Sequence, residues 1–122
     1  MTRVLIVDDS SLAREFHSHI LKDAGFVCVT AVDGMDGLEK ATAEKFHLIL
    51  TDINMQGMDG YEFIRRARQN PDYDQVPIII ISTEAKEPDR QKGFSAGANL
   101  YLVKPTDAKR IVESMKLLLG TR

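Results

Sequence analysis

The sequence predicts an α/β protein: a doubly wound, five-stranded parallel sheet in the order 2-1-3-4-5, with five helices. Five short apolar segments recur along the 122 residues, and four of them are rich in Val and Ile. Their nearly continuous apolar character suits strands covered on both faces. Between them lie stretches whose apolar residues recur at helical spacing. A strand-helix alternation repeated this often favours parallel pairing with right-handed crossovers.

The elements follow in order. Val4 to Val7 is the first strand, and it runs into "DDSS". A helix from about Leu12 places Leu12, Phe16 and Ile20 on one face, and Gly25 is suited to end it. Phe26 to Ala31 is the second strand, and Met35, Leu38 and Ala41 mark the second helix. Leu48 to Leu50 is the third strand, followed by a helix carrying Phe63, Ile64 and Ala67. Ile78 to Ile81 is the fourth. The helix after it has Pro88 for its first turn and Gly97 as its stop, but only Phe94 as a large apolar residue, so alternation supports it as much as period. Leu100 to Val103 is the fifth strand. The last helix, with Thr106 or Asp107 as N-cap, carries Ile111, Val112, Met115, Leu118 and Leu119, the strongest helical stripe in the chain.

The length suits one domain over residues 1–122, large enough to bury a core without staples. Apolar residues make up 43% and charged residues 28%, the balance of an ordinary soluble globular protein, and a net charge of −2 argues against nucleic-acid binding. Runs such as Ile78 to Ile81 are far too short to cross a bilayer, and the N-terminus lacks the apolar core of a signal peptide, so a cytoplasmic protein without membrane insertion is expected. Cys28 is the only cysteine, which leaves no disulfide or thiolate metal site within one chain; it reads as small core packing.

In the flavodoxin-like order the functional crevice lies outside the carboxyl ends of strands 1 and 3. Strand 1 ends at Asp8 and Asp9, strand 3 at Asp52, strand 4 at Ser82 and Thr83, and strand 5 at Lys104. Three carboxylates facing one ammonium must bind a cation or take up protons. With only oxygen ligands available, Mg²⁺ is the natural ion, with Mn²⁺ as a substitute. Asp52 stands apart from the acidic pair and suits the nucleophile of phosphoryl transfer. Lys104 would pair with one phosphoryl oxygen and a strand 4 hydroxyl with another; Ser82 directly follows the Ile run and is preferred to Thr83. Taken singly, "DDSS" could be a helix cap, Asp52 a turn residue and Lys104 a solvated charge. Their joint arrival at one sheet edge favours a site.

At these residues "VLIVDDSSLAR", "LILTDINMQGMDGYEFI", "VPIIIISTEA" and "GANLYLVKP" resemble the response-regulator receiver domain, over essentially the whole chain. The stand-alone, CheY-like type is the expected one, because the chain stops at Arg122 just after the fifth helix. The resemblance implies that Asp52 is the phosphoacceptor, that Asp8 and Asp9 hold the metal with Asp52, and that Asn54 adds its backbone carbonyl. It further implies that Ser82 is the switch hydroxyl, Lys104 the family's lysine, Lys104-Pro105 a cis peptide and Tyr101 the aromatic that turns inward. Asn54 and Glu84 occupy positions that tune phosphoryl loss. Gln56 stands where many receivers have proline, and Ser82 where threonine is commoner.

By the same resemblance the phosphodonor is a sensor histidine kinase or a phosphotransfer protein, in a chemotaxis or phosphorelay setting. The domain catalyses only its own phosphorylation and slow dephosphorylation. A monomer is expected, signalling to a downstream protein through helix 4, strand 5 and helix 5 around Tyr101, Lys109 and Arg110. Rival readings fit less well. Asp8 and Asp9 would repel the phosphate of a flavin, and Asn54 stands where an aspartyl-phosphate phosphatase would place a second Asp. A module with a dead site would not keep every polar group. His17 and His19 lie on different helix faces and His47 precedes strand 3, so surface or core-edge roles are expected for all of them.

Overall fold

Residues 1–120 are described in the structure, a computed structural model. The apolar segments are its strands, β1 (Arg3–Val7), β2 (Val27–Ala31), β3 (Leu48–Thr51), β4 (Ile78–Ser82) and β5 (Leu100–Val103). The helices between and after them are α1 (Ser11–Asp23), α2 (Gly34–Ala43), α3 (Gly60–Gln69), α4 (Glu87–Ala96) and α5 (Ala108–Leu119), with a 3-10 turn at Pro71–Tyr73. The strands pair in parallel in the order β2-β1-β3-β4-β5, as the sequence predicts.

Side chains alternate across the sheet, so each central strand feeds both faces. Leu5, Val7, Ile49, Ile78 and Ile80 join Phe63, Ile64 and Tyr101 in one core. Val4, Ile6, Leu48, Leu50, Ile79 and Ile81 join Leu21, Ile111 and Met115 in the other. Each such aliphatic side chain, taken fully out of water, contributes roughly 1.5–3 kcal/mol. Among the described residues no helix is long and apolar enough to cross a membrane.

Helix faces depart from the sequence reading at two places. The predicted stripe on α1 is buried only at its last member: Ile20 is buried with His17, Ser18 and Leu21, whereas Leu12 is 77% and Phe16 53% exposed. A single turn holds apolar residues on both sides of this helix, and the sheet selects the side that continues into Leu21. On α2, Met35 is exposed and the buried positions are Gly34, Gly37 and Ala41, because α3 approaches too closely for a large side chain; a Cβ on Gly37 would lie 2.9 Å from the Phe63 ring. Cys28 is half-buried at the margin of the α1/α5 core rather than within it.

Gly97 ends α4 and Pro88 lies in its first turn, as expected. Asp107, not Thr106, caps α5, accepting from the Arg110 N–H at 2.8 Å; the Thr106 hydroxyl turns back to the Val103 carbonyl. The register then sets the site. Val7 lies opposite Thr51, so the next residues, Asp8 and Asp52, emerge side by side, and Ser82 lies opposite Val103, one residue before Lys104.

Candidate phosphoacceptor site

The "DDSS" run serves two purposes at once. Ser10 is the N-cap of α1, its hydroxyl accepting from the Ala13 N–H at 3.2 Å. Asp8 is buried, with Oδ1 accepting from the Ser10 N–H at 2.9 Å and its backbone carbonyl from Arg14 Nη1 at 2.7 Å. Asp9 is exposed on the rim.

Lys104 joins the two inner carboxylates. Its Nζ lies 3.3 Å from Asp8 Oδ2 and 3.2 Å from Asp52 Oδ2. The other Asp52 oxygen accepts from the Ile53 N–H at 2.7 Å. Burial pushes the Asp52 carboxyl up from its ordinary value; Lys104 and the Ile53 N–H oppose that push, and the nearby Asp8 charge adds to it. Behind Asp52, Gly60 is required by a close approach, since a Cβ there would stand 2.1 Å from the Asp52 carbonyl oxygen. The Lys104-Pro105 peptide is cis.

The β4 end is built around Glu84. Ser82 is fully buried while Thr83 is exposed. The Ser82 hydroxyl oxygen accepts the Glu84 N–H at 3.1 Å, the Glu84 carbonyl accepts the Tyr101 hydroxyl at 2.9 Å, and the Glu84 carboxylate accepts Asn54 Nδ2 at 3.2 Å. Tyr101 is only 4% exposed, so its ring faces inward. Asn54 and Gln56 are exposed on the loop after Asp52.

Two carboxylates sharing one ammonium, Asp8 buried and Asp52 partly buried, carry net negative charge, and exposed Asp9 adds to it. Among the described residues no three acidic, His or Cys side chains converge into a closed cation shell. Magnesium does not need one, since it keeps several waters and is held through one or two carboxylates. The all-oxygen donor set at Asp8, Asp9 and Asp52 therefore fits that ion.

His17, expected at the surface or the core edge, is a buried neighbour of this site. It is 3% exposed, its Nδ1 has no hydrogen-bond partner, and burial pushes its imidazole down, reinforced by Lys104 and opposed by Asp8. The spacing of His17 to Ile20 and Leu21 is a helical contact pattern that could have revealed it. A cleft of about 410 Å³ lined by Leu12, Ala13, Phe16, His17, Lys104 and Pro105 opens here. The other histidines are peripheral: His19 lies 3.4 Å from Asp23, and exposed His47 accepts the Arg3 N–H at 2.9 Å.

Residues 4–116 match the model of the response regulator receiver domain. Protein PilH of Pseudomonas aeruginosa is 33% identical over 98% of this chain and 99% of its own length. The gliding motility regulatory protein of Myxococcus xanthus is 39% identical over 84% of this chain, which spans 13% of that protein's length. Among solved structures, chemotaxis protein CheY4 of Vibrio cholerae superposes with a TM-score of 0.93 at 37% identity, covering 97% of this chain and 98% of CheY4. The receiver domain of the Pseudomonas aeruginosa sensor histidine kinase PA1611, described with a magnesium ion coordinated in its active site cleft, gives 0.91 at 26% identity over 98% of each chain.

Proposed function

We propose that this chain, which belongs to the response regulator receiver domain family and so to two-component signal transduction, is a single receiver domain switched by phosphorylation of Asp52. The observation that carries this reading is the bridging of Asp8 and Asp52 by one ammonium, Lys104, at the carboxyl edge of the sheet. It is a signalling domain rather than a member of a conventional enzyme family.

A carboxylate oxygen of Asp52 attacks the phosphorus of a phosphohistidine on a sensor histidine kinase or phosphotransfer protein. The P–N bond breaks, an acyl phosphate forms, and the freed imidazole leaves with the donor. Lys104 exchanges its contact with Asp52 for one with a phosphoryl oxygen, and Ser82 supplies a hydroxyl to another. Asp8, Asp9, Asp52 and the Asn54 backbone carbonyl would hold Mg²⁺, or Mn²⁺ in its place, and the ion would supply charge neutralisation for phosphoryl oxygens. The magnesium described in the PA1611 receiver supports that choice of ion.

Self-dephosphorylation is slow in this reading, and Asn54 and Glu84, hydrogen-bonded to each other at 3.2 Å, would flank the path of the attacking water. Ser82 draws Glu84 and the inward Tyr101 with it, which biases a two-state surface of α4, β5 and α5 including the exposed Lys109 and Arg110. A donor protein lands on the exposed Leu12 and Phe16, because these flank the cleft that reaches Lys104. We place this activity in the cytoplasm, in a monomer whose output is a protein contact and not nucleic acid.

The deciding experiment is intact mass after incubation with acetyl phosphate and Mg²⁺, repeated without metal and with Asp52→Asn. One phosphoryl group gained by the wild type only with metal, and not by the variant, is the expected result. No gain by a folded, Mg²⁺-binding wild type overturns the reading in favour of a module with a dead site.

A further inference from the structure

α4 has little of its own to hold it to the sheet. Lys86 at its N-cap position makes no side-chain cap bond, only Gly93 and Ala96 are buried, and Phe94 is 46% exposed. A surface helix is ordinarily fixed by an apolar stripe. Here two tyrosines take that place.

From α3, the Tyr61 hydroxyl donates to the Asp89 carbonyl in the first turn of α4 at 3.1 Å, and Lys92 Nζ stands 4.7 Å from the centre of the Tyr61 ring. From β5, the Tyr101 hydroxyl holds the Glu84 carbonyl just before α4, and the Arg90 guanidinium stands 5.3 Å over the Tyr101 ring. The helix closes on Tyr101 through Gly93, where a Cβ would come within 2.6 Å of Ile80 and 3.2 Å of the Tyr101 ring. Burial, with Tyr101 and Asp89 nearby, pushes the Tyr61 hydroxyl up to about 12, so it stays a donor at any physiological pH.

Tyr61 is also tied to the acceptor. It follows Gly60, whose N–H donates to the Ile53 carbonyl at 2.8 Å and which lies against the carbonyl of Asp52. We infer that Tyr61 is a second aromatic positioning residue of the switch: it holds the first turn of α4 in the arrangement that buries Tyr101, and so couples Asp52 to α4 by a route separate from Ser82. This rests on the phosphorylation switch proposed above.

The test uses beryllofluoride with Mg²⁺ as the phosphoryl mimic, titrated into the wild type, Tyr61→Phe, Tyr101→Phe and the double variant. Amide exchange at residues 87–92 is followed at saturation. Phe keeps the ring beneath Lys92 and removes only the hydroxyl. Tyr61→Phe should bind the mimic about threefold to tenfold more weakly, the worth of one net hydrogen bond, and should lose protection at 87–92. In the Tyr101→Phe background the same change should matter less, because both tyrosines act on one arrangement of α4. A purely structural role would lower the melting temperature and leave affinity unchanged; that result, or an effect undiminished in the Tyr101→Phe background, overturns the inference. Failure of the wild type to bind the mimic would instead bring down the phosphorylation reading on which it rests.

Discussion

Ser82 and Glu84 are joined by a 3.1 Å hydrogen bond from the Glu84 backbone N–H to the buried Ser82 hydroxyl oxygen, so the β4 hydroxyl cannot move without disturbing Glu84. Glu84 in turn holds Tyr101 through its carbonyl and Asn54 through its carboxylate. Ser82→Ala should therefore separate chemistry from output. Acetyl phosphate should still phosphorylate Asp52, at a rate reduced by about tenfold to a hundredfold, while exchange at 87–92 responds less than in the wild type and keeps the part carried through Tyr61. Ser82→Thr should keep the response and lose about 1 kcal/mol of stability to the added methyl in a fully buried site, read by urea unfolding.

Lys104→Met would leave buried Asp8 and partly buried Asp52 without their shared cation. We expect Asp52 phosphorylation to fall at least about a hundredfold and stability at neutral pH to fall by about 1–3 kcal/mol. Adding Asp52→Asn should restore part of the stability and none of the phosphorylation, a non-additivity that an unfolding cycle would detect.

His17 supplies a pH dependence whose sign follows from its surroundings. Its folded pKa is depressed below the ordinary value, so its contribution to stability is fully present above the unfolded pKa and is lost as pH falls through the folded one. Between pH 7 and pH 5 the wild type should lose stability relative to His17→Leu, with a limiting slope of about 1.4 kcal/mol per pH unit for one proton. Parallel denaturant titrations of both proteins across that window test this; parallel curves would contradict it.

The Asn54–Glu84 contact is a surface pair, so Glu84→Ala should change stability by no more than about 0.5 kcal/mol. Its effect should fall on the acyl phosphate instead, shortening its lifetime by opening the approach of water to Asp52. Mass spectrometry of the decaying phosphoprotein gives both the rate and the site.

Leu12 and Phe16 are exposed beside the acceptor cleft, where a protein donor must arrive and a small one need not. Leu12→Asp and Phe16→Asp should leave phosphorylation by acetyl phosphate within about twofold of wild type and slow transfer from a phosphorylated donor protein by about tenfold, on the scale of losing an apolar anchor.

Much of this architecture is legible in the sequence because it rests on local pattern. The runs Val4 to Val7 and Ile78 to Ile81 can hardly be other than covered strands, and parallel connection puts their carboxyl ends on one edge, which is where Asp8, Asp52, Ser82 and Lys104 stand. The face of α1 was not legible in the same way: Leu12 and Phe16 have the same helical spacing as a core stripe, yet His17 and Leu21 are the residues that meet the sheet.

The chain alone thus determined the elements, their order and the residue types gathered at the strand ends, since each depends on neighbours a few positions apart. Only the tertiary structure decided that Lys104 bridges carboxylates as far back as Asp8, that one residue, Glu84, takes hydrogen bonds from Asn54 and Tyr101, and that Tyr61 holds α4 across 28 residues of chain. These contacts join residues remote in sequence, and their partners are chosen by the register of the sheet and the close approach of helices, which no periodicity in the chain encodes.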